Sequence, residues 1–303
     1  MTTSILKLFA NKRSVYYYAQ KSIRIVWARK LLGQIVALLV PARRLAALEP
    51  QAVESLRQLR QDGVAFTPWA GLTNVQIKSA VAFLATKPLF SPEDYASRRH
   101  PVLISQPEAA SFRKLHHTHQ DVAQCTELVT LANHPQLLAV VAAYLGATPT
   151  IAAMQVWWTL GHASNATELA RDDMFHRDVD DLRFIKMFMY LTDVGQENGV
   201  HSFVPTSHRS NALVRRAPIT SEQVCLHFGS NAERRYAGPA GTIFLEDTWG
   251  IHRQTPAVSG RRCIFSVMYT VSGLDPNSPP IPVAPLPPDL DAYVNRIFYT
   301  QPR

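Results

Sequence analysis

The chain has 303 residues, 47% of them hydrophobic, enough to fill one large core or two small ones, which excludes a disordered or fibrous protein. Its formal charge of +8 sits at one end: residues 1–48 hold nine Lys and Arg and no Asp or Glu, so the remainder is close to neutral and a general nucleic-acid-binding face is excluded. Cys125, Cys225 and Cys263 stand far apart without paired spacing, so neither a disulfide framework nor a zinc ribbon is indicated, and a reducing, cytoplasmic compartment fits.

The basic end also carries Tyr16, Tyr17, Tyr18, Trp27 and the apolar run LLGQIVALLVPA (31–42). That run is too short to span a bilayer, which takes about 20 residues in a helix. Two readings stand side by side. Basic, aromatic and aliphatic residues together suit a helix lying on an anionic membrane surface, such as the inner face of the cell membrane, where each Lys or Arg adds about 1 kcal/mol of attraction. The same pattern suits a helix packed on the domain with its charged face in solvent. A secretory signal fits poorly, because the basic lead-in runs to about 30 residues and Pro41 followed by Arg43 and Arg44 is a poor cleavage context.

The main domain is expected over 49–290. Helices come first. EPQAVESLRQLRQDGVAF places Val53, Leu56 and Leu59 at helical spacing and stops at Gly63; NVQIKSAVAFLAT (74–86) reads as a second helix. A loop-like stretch around SPEDYASRRHPVLISQPEAA follows. HPQLLAVVAAYLGATP (134–149) is a strong helix, with Pro135 near its start and Gly146 past its last apolar turn. No sheet is expected before residue 150. After it the pattern changes to short runs: TIAAMQVWWTL, LRFIKMFMYLTD, VHSFVPTS, QVCLHFG, GTIFLEDTW and RRCIFSVMYTVS, divided by Gly, Asn, Asp and Pro. Helices followed by strands give an α+β fold with an antiparallel sandwich or jelly roll. The stretch DPNSPPIPVAPLPPD (275–289) reads as extended chain over the surface, before a last short helix near DAYVNRIFY in a C-terminal segment, 291–303.

The segment MFHRDVDDLRF (174–184) sets one histidine, three acidic groups and two arginines among apolar residues. In an extended strand His176 and Asp178, two apart, project from one face, with Arg177 turned the other way. An imidazole and a carboxylate so placed are two members of a two-histidine, one-carboxylate iron site, which leaves the metal's other positions open. His252, in the strand-like run GTIFLEDTWGIHRQTP, is the candidate third ligand. Arg262 opens the apolar run CIFSVMY, and a fixed guanidinium inside a barrel can grip a carboxylate with two parallel hydrogen bonds. Iron beside a carboxylate clamp points to a 2-oxo acid.

The text MFHRDVDDLRFIKMFMYLTDVGQENGVHSFVPTSHR resembles the phytanoyl-CoA dioxygenase family of Fe(II)/2-oxoglutarate-dependent oxygenases, in which an H-x-D strand precedes a hydrophobic strand, LTD, NG and a P-G-S-H turn. RQDGVAF and LANHPQLLAVVAAYLGATP are similar to that family's helical leader. The resemblance covers roughly residues 50–272 and leaves out the basic end. It implies a double-stranded β-helix (jelly-roll, cupin-like) core with the leader helices packed on the sheet. It implies Fe(II) held by His176, Asp178 and His252, 2-oxoglutarate anchored by Arg262 with Arg261 as competitor, O2 as oxidant, and Gln155 and Phe188 lining the cosubstrate pocket. Hydroxylation of a C–H bond in a small-molecule, glycan-type or lipid-linked substrate is the implied reaction. The alternatives are a catalytically inactive metal-binding scaffold of the same fold and a cupin-like iron enzyme that does not use 2-oxoglutarate. Three positions depart from the family: Thr206 stands where relatives favour glycine, Gln254 where a small hydroxyl residue is common, and Thr159 where many have lysine.

Other polar clusters have ordinary readings as well. Asp180, Asp181 and Arg183 are either substrate contacts at the barrel mouth or solvated salt bridges, while Asp172 and Asp173 read as loop residues. HHTHQD (His116, His117, His119, Asp121) looks like a second metal site but is read as a loop or helix face near the entrance. Trp157 and Trp158 must face opposite sides of a strand, one lining the pocket and one under the leader helices. His201 and His208 are read as turn or pocket-rim residues.

Overall fold

A computed structural model of the protein describes residues 12–162, 164, 170–214, 218–273 and 284–300. Two helices open it, α1 (Lys12–Ser22) and α2 (Val26–Leu38). On α2 the buried positions are Val26, Arg29, Gly33 and Ala37, a single narrow stripe at helical spacing that faces the rest of the protein. Next comes α3 (Pro50–Asp62), whose first turn accepts Pro50 because that amide has no intrahelical partner, and which ends at Gly63 in the left-handed region with φ 86°. It runs into β1 (Val64–Phe66). α4 (Asn74–Ala85) starts on a reciprocal cap, in which Thr73 accepts from the Gln76 amide and the Gln76 side chain accepts from the Thr73 amide.

The short strands β2 (Leu89–Phe90) and β3 (Lys114–His117) precede α5 (His119–Ala123), α6 (Thr126–Ala132) and α7 (Pro135–Leu145). The rest is mainly strand: β4 (Thr150–Leu160), β5 (Phe184–Tyr190), β6 (His201–Phe203), then α8 (Ser221–Phe228), β7 (Arg234–Arg235), β8 (Ile243–Glu246), β9 (His252–Gln254), β10 (Arg261–Thr270), β11 (Ala284–Pro285) and β12 (Tyr299–Thr300).

Seven strands form one antiparallel sheet in the order β1-β8-β5-β10-β4-β3-β2, and β7-β6-β9 form a second. Side-chain alternation along the central strands divides the large sheet into two faces. Cys263, Phe265, Val267 and Tyr269 of β10, with Met187 and Met189 of β5 and Trp158 of β4, join the helices in one apolar layer. The opposite face carries Phe188, Tyr190, Phe244 and Ile264, which meet Val200 and Phe203 from the second sheet in a separate cluster with Trp157 against it. Leu59, Leu84 and Leu115 in the helix-side layer are fully buried, each contributing about 2–3 kcal/mol. Trp157 and Trp158 thus part as expected.

Three strand readings change. β1, β2 and β3 lie before residue 150, too short to carry a visible alternation, yet all three extend the large sheet. QVCLHFG, read as a strand, is helix α8, because Thr220 and Gln223 form a second reciprocal cap that fixes its first turn. Near the C-terminus DAYVNRIFY makes turns and then strand β12, which pairs with β11, in place of the expected helix. Most of the proline-rich stretch falls outside the described residues.

The basic end packs on the domain. Arg29 is 4% exposed and donates to the carbonyls of Gln20, Ile23 and Asp181 and to the Gln20 side chain, while its guanidinium stacks 4.2 Å from the Trp249 ring. Gly33 lets α2 approach closely, since a Cβ there would stand 2.4 Å from Arg183 Cγ. Arg29→Ala leaves three carbonyls without their donor, so a loss of about 2–4 kcal/mol is expected. Hydrogen exchange should locate that loss in residues 12–38; protection unchanged there would contradict the clamp.

Candidate metal centre

His176 stands outside the named strands but pairs with β9 through a backbone bridge, its amide donating to the His252 carbonyl at 2.9 Å and the His252 amide returning a bond at 3.0 Å. The Asp178 amide donates to Thr248 at 2.8 Å, which keeps the segment extended and puts both side chains on one face. His176, Asp178 and His252 offer one ligand atom each, all within 4.8 Å of one another, and form the one such group found among the described residues. The Asp178 carboxylate lies 3.4 Å from Nε2 of His252 and 3.9 Å from Nε2 of His176.

Both imidazoles are oriented from behind. Nδ1 of His176 is 2.9 Å from the Met174 carbonyl, and Nδ1 of His252 is 3.0 Å from the Gly250 carbonyl. A carbonyl only accepts, so each Nδ1 carries a proton and each Nε2 faces the carboxylate. Burial, with the charge of His252 next, lowers the His176 pKa to about 4. For His252 burial acts downward, but Asp178 outweighs it and the pKa rises. Asp178 is held well below the usual carboxylate range, because Lys186 and both histidines overcome its desolvation. A bound cation would replace the proton on His252 and share the charge of Asp178. Donor chemistry, spacing and orientation all fit a divalent transition metal.

Sequence reasoning missed two neighbours, Lys186 and Glu246, and read a third, His201, as a turn or pocket-rim residue. Lys186 donates to Asp178 at 2.7 Å and to Asp180 at 2.9 Å. Glu246, its register partner on β8, is fully buried and lies 2.8 Å from Nε2 of His201. The His201 ring stacks at 5.8 Å on His252 and lies 5.0 Å from Phe188, so His201 stands within the site and not at a rim. A signal existed: Lys186 is the one charged residue in FIKMFMY, and a lone charge in an apolar strand needs a partner.

On the inward face β10 sets Arg262, Ile264, Ser266 and Met268 in a row, and Ser266 is flanked by Gln155 on β4 and Phe188 on β5. Arg262 is 1% exposed, while Arg261 is exposed and stands over Trp158 at 5.5 Å, on the helix side. The Arg262 guanidinium bonds the Gly199 carbonyl, Thr159 Oγ1 and Gln254 Oε1. Two of the departing positions, Thr159 and Gln254, therefore serve as its partners. Nε of Arg262 and Nε1 of Trp157 are buried without a hydrogen-bond partner.

The remaining candidates disperse. His116 faces Trp157 with ring centroids 6.2 Å apart, His117 is buried with neither ring nitrogen paired, and His119 bonds the Met154 carbonyl, so HHTHQD converges on no metal. Burial lowers the His117 pKa to about 4. Asp181 accepts from Tyr16 Oη, from the Leu182 amide and from the Ser272 amide and hydroxyl, and Arg183 donates to the Tyr144 carbonyl; neither is a solvated salt bridge. Asp172 and Asp173 pair with Lys114 and Arg113. Arg177 points away and straps the Ser207, Trp249 and Ala212 carbonyls. Thr206 keeps the left-handed backbone of a glycine turn with φ 66°, a strain of about 1–2 kcal/mol.

No protein-family profile matches the chain, and no curated protein matches it. Among solved structures it is similar to SnoK, a non-heme α-ketoglutarate-dependent carbocyclase from nogalamycin biosynthesis, with 18% identity, 76% of this chain and 87% of that one covered, and a TM-score of 0.49. SnoN, the α-ketoglutarate-dependent epimerase of nogalamycin biosynthesis, gives 16% identity, 72% and 80% coverage and a TM-score of 0.48. HygX from Streptomyces hygroscopicus, solved with nickel and 2-oxoglutarate bound, gives 16%, 74% and 87%, and 0.47. These likenesses concern the fold.

Calorimetric titration with Co(II) tests the centre. Asp178→Ala should weaken binding by more than about 100-fold, and His201→Gln, which keeps a donor for Glu246, by a few-fold at most. Affinity should fall as pH drops through the raised His252 pKa, because the metal must displace that proton. Equal losses in both variants would contradict the assignment.

Proposed function

We propose that the protein is an Fe(II)- and 2-oxoglutarate-dependent dioxygenase of the phytanoyl-CoA dioxygenase type, with a jelly-roll core, that hydroxylates a C–H bond of a small-molecule or lipid-linked substrate. The observation that carries this reading is the combination of two histidines and an aspartate around one point with a buried arginine on the inward face of β10. Bound Fe(II) would activate O2, the oxidant, with 2-oxoglutarate as the two-electron co-reductant, one oxygen atom entering the C–H bond and the other entering succinate as CO2 is lost.

In this reading His176, Asp178 and His252 hold the iron. Arg262 takes the distal carboxylate of 2-oxoglutarate, with Thr159 and Gln254 giving up contacts as the ligand enters. Gln155 and Phe188 wall the cosubstrate, and Trp157, Phe188 and Phe244 keep water from the site. Asp178 is a carboxylate and not a small residue, which favours hydroxylation over halogenation. Lys186 stays on Asp180 when Asp178 turns to the metal.

One observation favours a second reading, a barrel of the same fold that has lost catalysis. Lys186 already neutralises Asp178 at 2.7 Å, and Thr159, Gln254 and the Gly199 carbonyl already occupy Arg262. Anaerobic addition of Fe(II) and then 2-oxoglutarate separates the two. The first reading predicts the visible iron-to-ketoacid charge-transfer band, with apparent 2-oxoglutarate affinity falling about 100-fold in Arg262→Ala and only a few-fold in Arg261→Ala. No band in folded protein would contradict it and leave the second.

A further inference from the structure

α2 is amphipathic in an unusual sense. Its inner stripe is narrow and includes Arg29, while its outer face is apolar: Trp27 is 65% exposed, Leu31 50%, Leu32 38%, Ile35 49%, Leu38 85% and Leu39, just past the helix, 80%. These side chains cover an arc of about 140° on the helix, opposite Val26 and Gly33. Of the thirteen large hydrophobic side chains exposed among the described residues, nine lie between Val15 and Leu39. Burial on the domain has therefore used the wrong face for a soluble helix. An apolar patch of this kind marks a partner or membrane site.

Charge selects between those partners. Exposed Arg24, Lys30, Arg43 and Arg44 flank the apolar arc, and no acidic residue occurs before Glu49. Two copies meeting through this face would bring like charges together around it, whereas an anionic surface would be complementary. Along the Lys30 and Gln34 flank opens a cavity of about 300 Å³ between α2, the end of α7 and the loops around Arg183, Arg209 and Asp247. Arg29, Lys30, Arg60, Arg183 and Arg209 line it, and its one acid, Asp247, already accepts from Tyr144 at 2.5 Å. Arg60 and Arg183 each give a donor to an α7 carbonyl, and Lys30 and Arg209, both exposed, complete its basic lining. No single described helix is long and apolar enough to cross a membrane, so the contact is one of surface, not of span.

We propose that the protein docks on an anionic phospholipid bilayer through the outer face of α2, with Trp27, Leu31, Ile35 and Leu38 entering the interface and a lipid phosphate seated in the basic cavity beside Lys30 and Arg209. This does not depend on the iron reading, since vesicle binding needs neither metal nor cosubstrate. The inner stripe explains why the helix is held flat: Arg29 and Gly33 fix α2 against Asp181 and Arg183, so its outward face is presented rigidly. Val26, in the same stripe, packs with Phe184, Trp249 and Met268, and so covers one end of the inward face that carries Lys186 and Asp178. A bilayer on the outer side of α2 would lie against that end.

Cosedimentation of the full-length protein with vesicles tests this. At low salt, binding to vesicles of equal phosphatidylglycerol and phosphatidylcholine should exceed binding to phosphatidylcholine alone by at least 10-fold, with a blue shift in Trp27 fluorescence. Leu31→Glu and Ile35→Glu change exposed side chains and should keep the native circular dichroism while losing at least 10-fold in vesicle affinity. Lys30→Glu with Arg209→Glu should lose several-fold and abolish the preference for phosphatidylglycerol. Three outcomes overturn the proposal: no binding to the anionic vesicles, binding unchanged in the folded Ile35→Glu protein, or a wild-type dimer that Ile35→Glu converts to monomer, which would assign the face to a second copy.

Discussion

One carboxylate governs the inward face. Asp178 is partly buried between two imidazoles and an ammonium, with 3.4 Å to His252 and 2.7 Å to Lys186. A charge so placed in a low-dielectric interior persists only if opposite charge is held beside it. Backbone bonds from Asp178 to Thr248 and between His176 and His252 fix where that charge sits, and the Met174 and Gly250 carbonyls fix the ring nitrogens that face it. These bonds tie the strand edge and the second sheet to the site.

The basic end is tied into the same construction. Tyr16 donates to the Asp181 carboxylate, Gln20 to the Val179 carbonyl and Arg29 to the Asp181 carbonyl, all within five residues of His176. α1 and α2 thus brace the segment that carries two of the three candidate ligands. Of the two initial readings of that end, the structure bears on the packed one, over residues 12–38. It packs on the domain, but the face left in solvent is apolar, because the arginine that a soluble helix would expose is spent inside on backbone carbonyls.

Legibility in the sequence followed the length of each signal. The shared face of His176 and Asp178 was legible from period-two geometry, while His252 and Arg262 were candidates that the resemblance singled out with Arg261 left as a competitor; in the structure the three ligand candidates cluster, Arg262 is buried and Arg261 exposed. The helices starting at Pro50 and Pro135 were readable from proline entry and glycine exit. β1, β2 and β3 were not, since two to four residues carry no period and only pairing with a neighbour makes them strands. α8 was misread because VCLHF is apolar enough for a strand, and the deciding bonds lie in its cap, at Thr220 and Gln223. Lys186, His201 and Glu246 come from three different strands, and nothing local in the sequence marks that they meet.

His176, Asp178 and His252 are proposed to hold one metal with a face left open. X-ray absorption at the iron edge of the Fe(II)-loaded protein tests it most directly. Scattering from two imidazoles with oxygen making up the remaining neighbours is expected, with loss of one imidazole contribution in His252→Ala. A third imidazole, a sulfur neighbour, or iron that the folded protein fails to retain would contradict it.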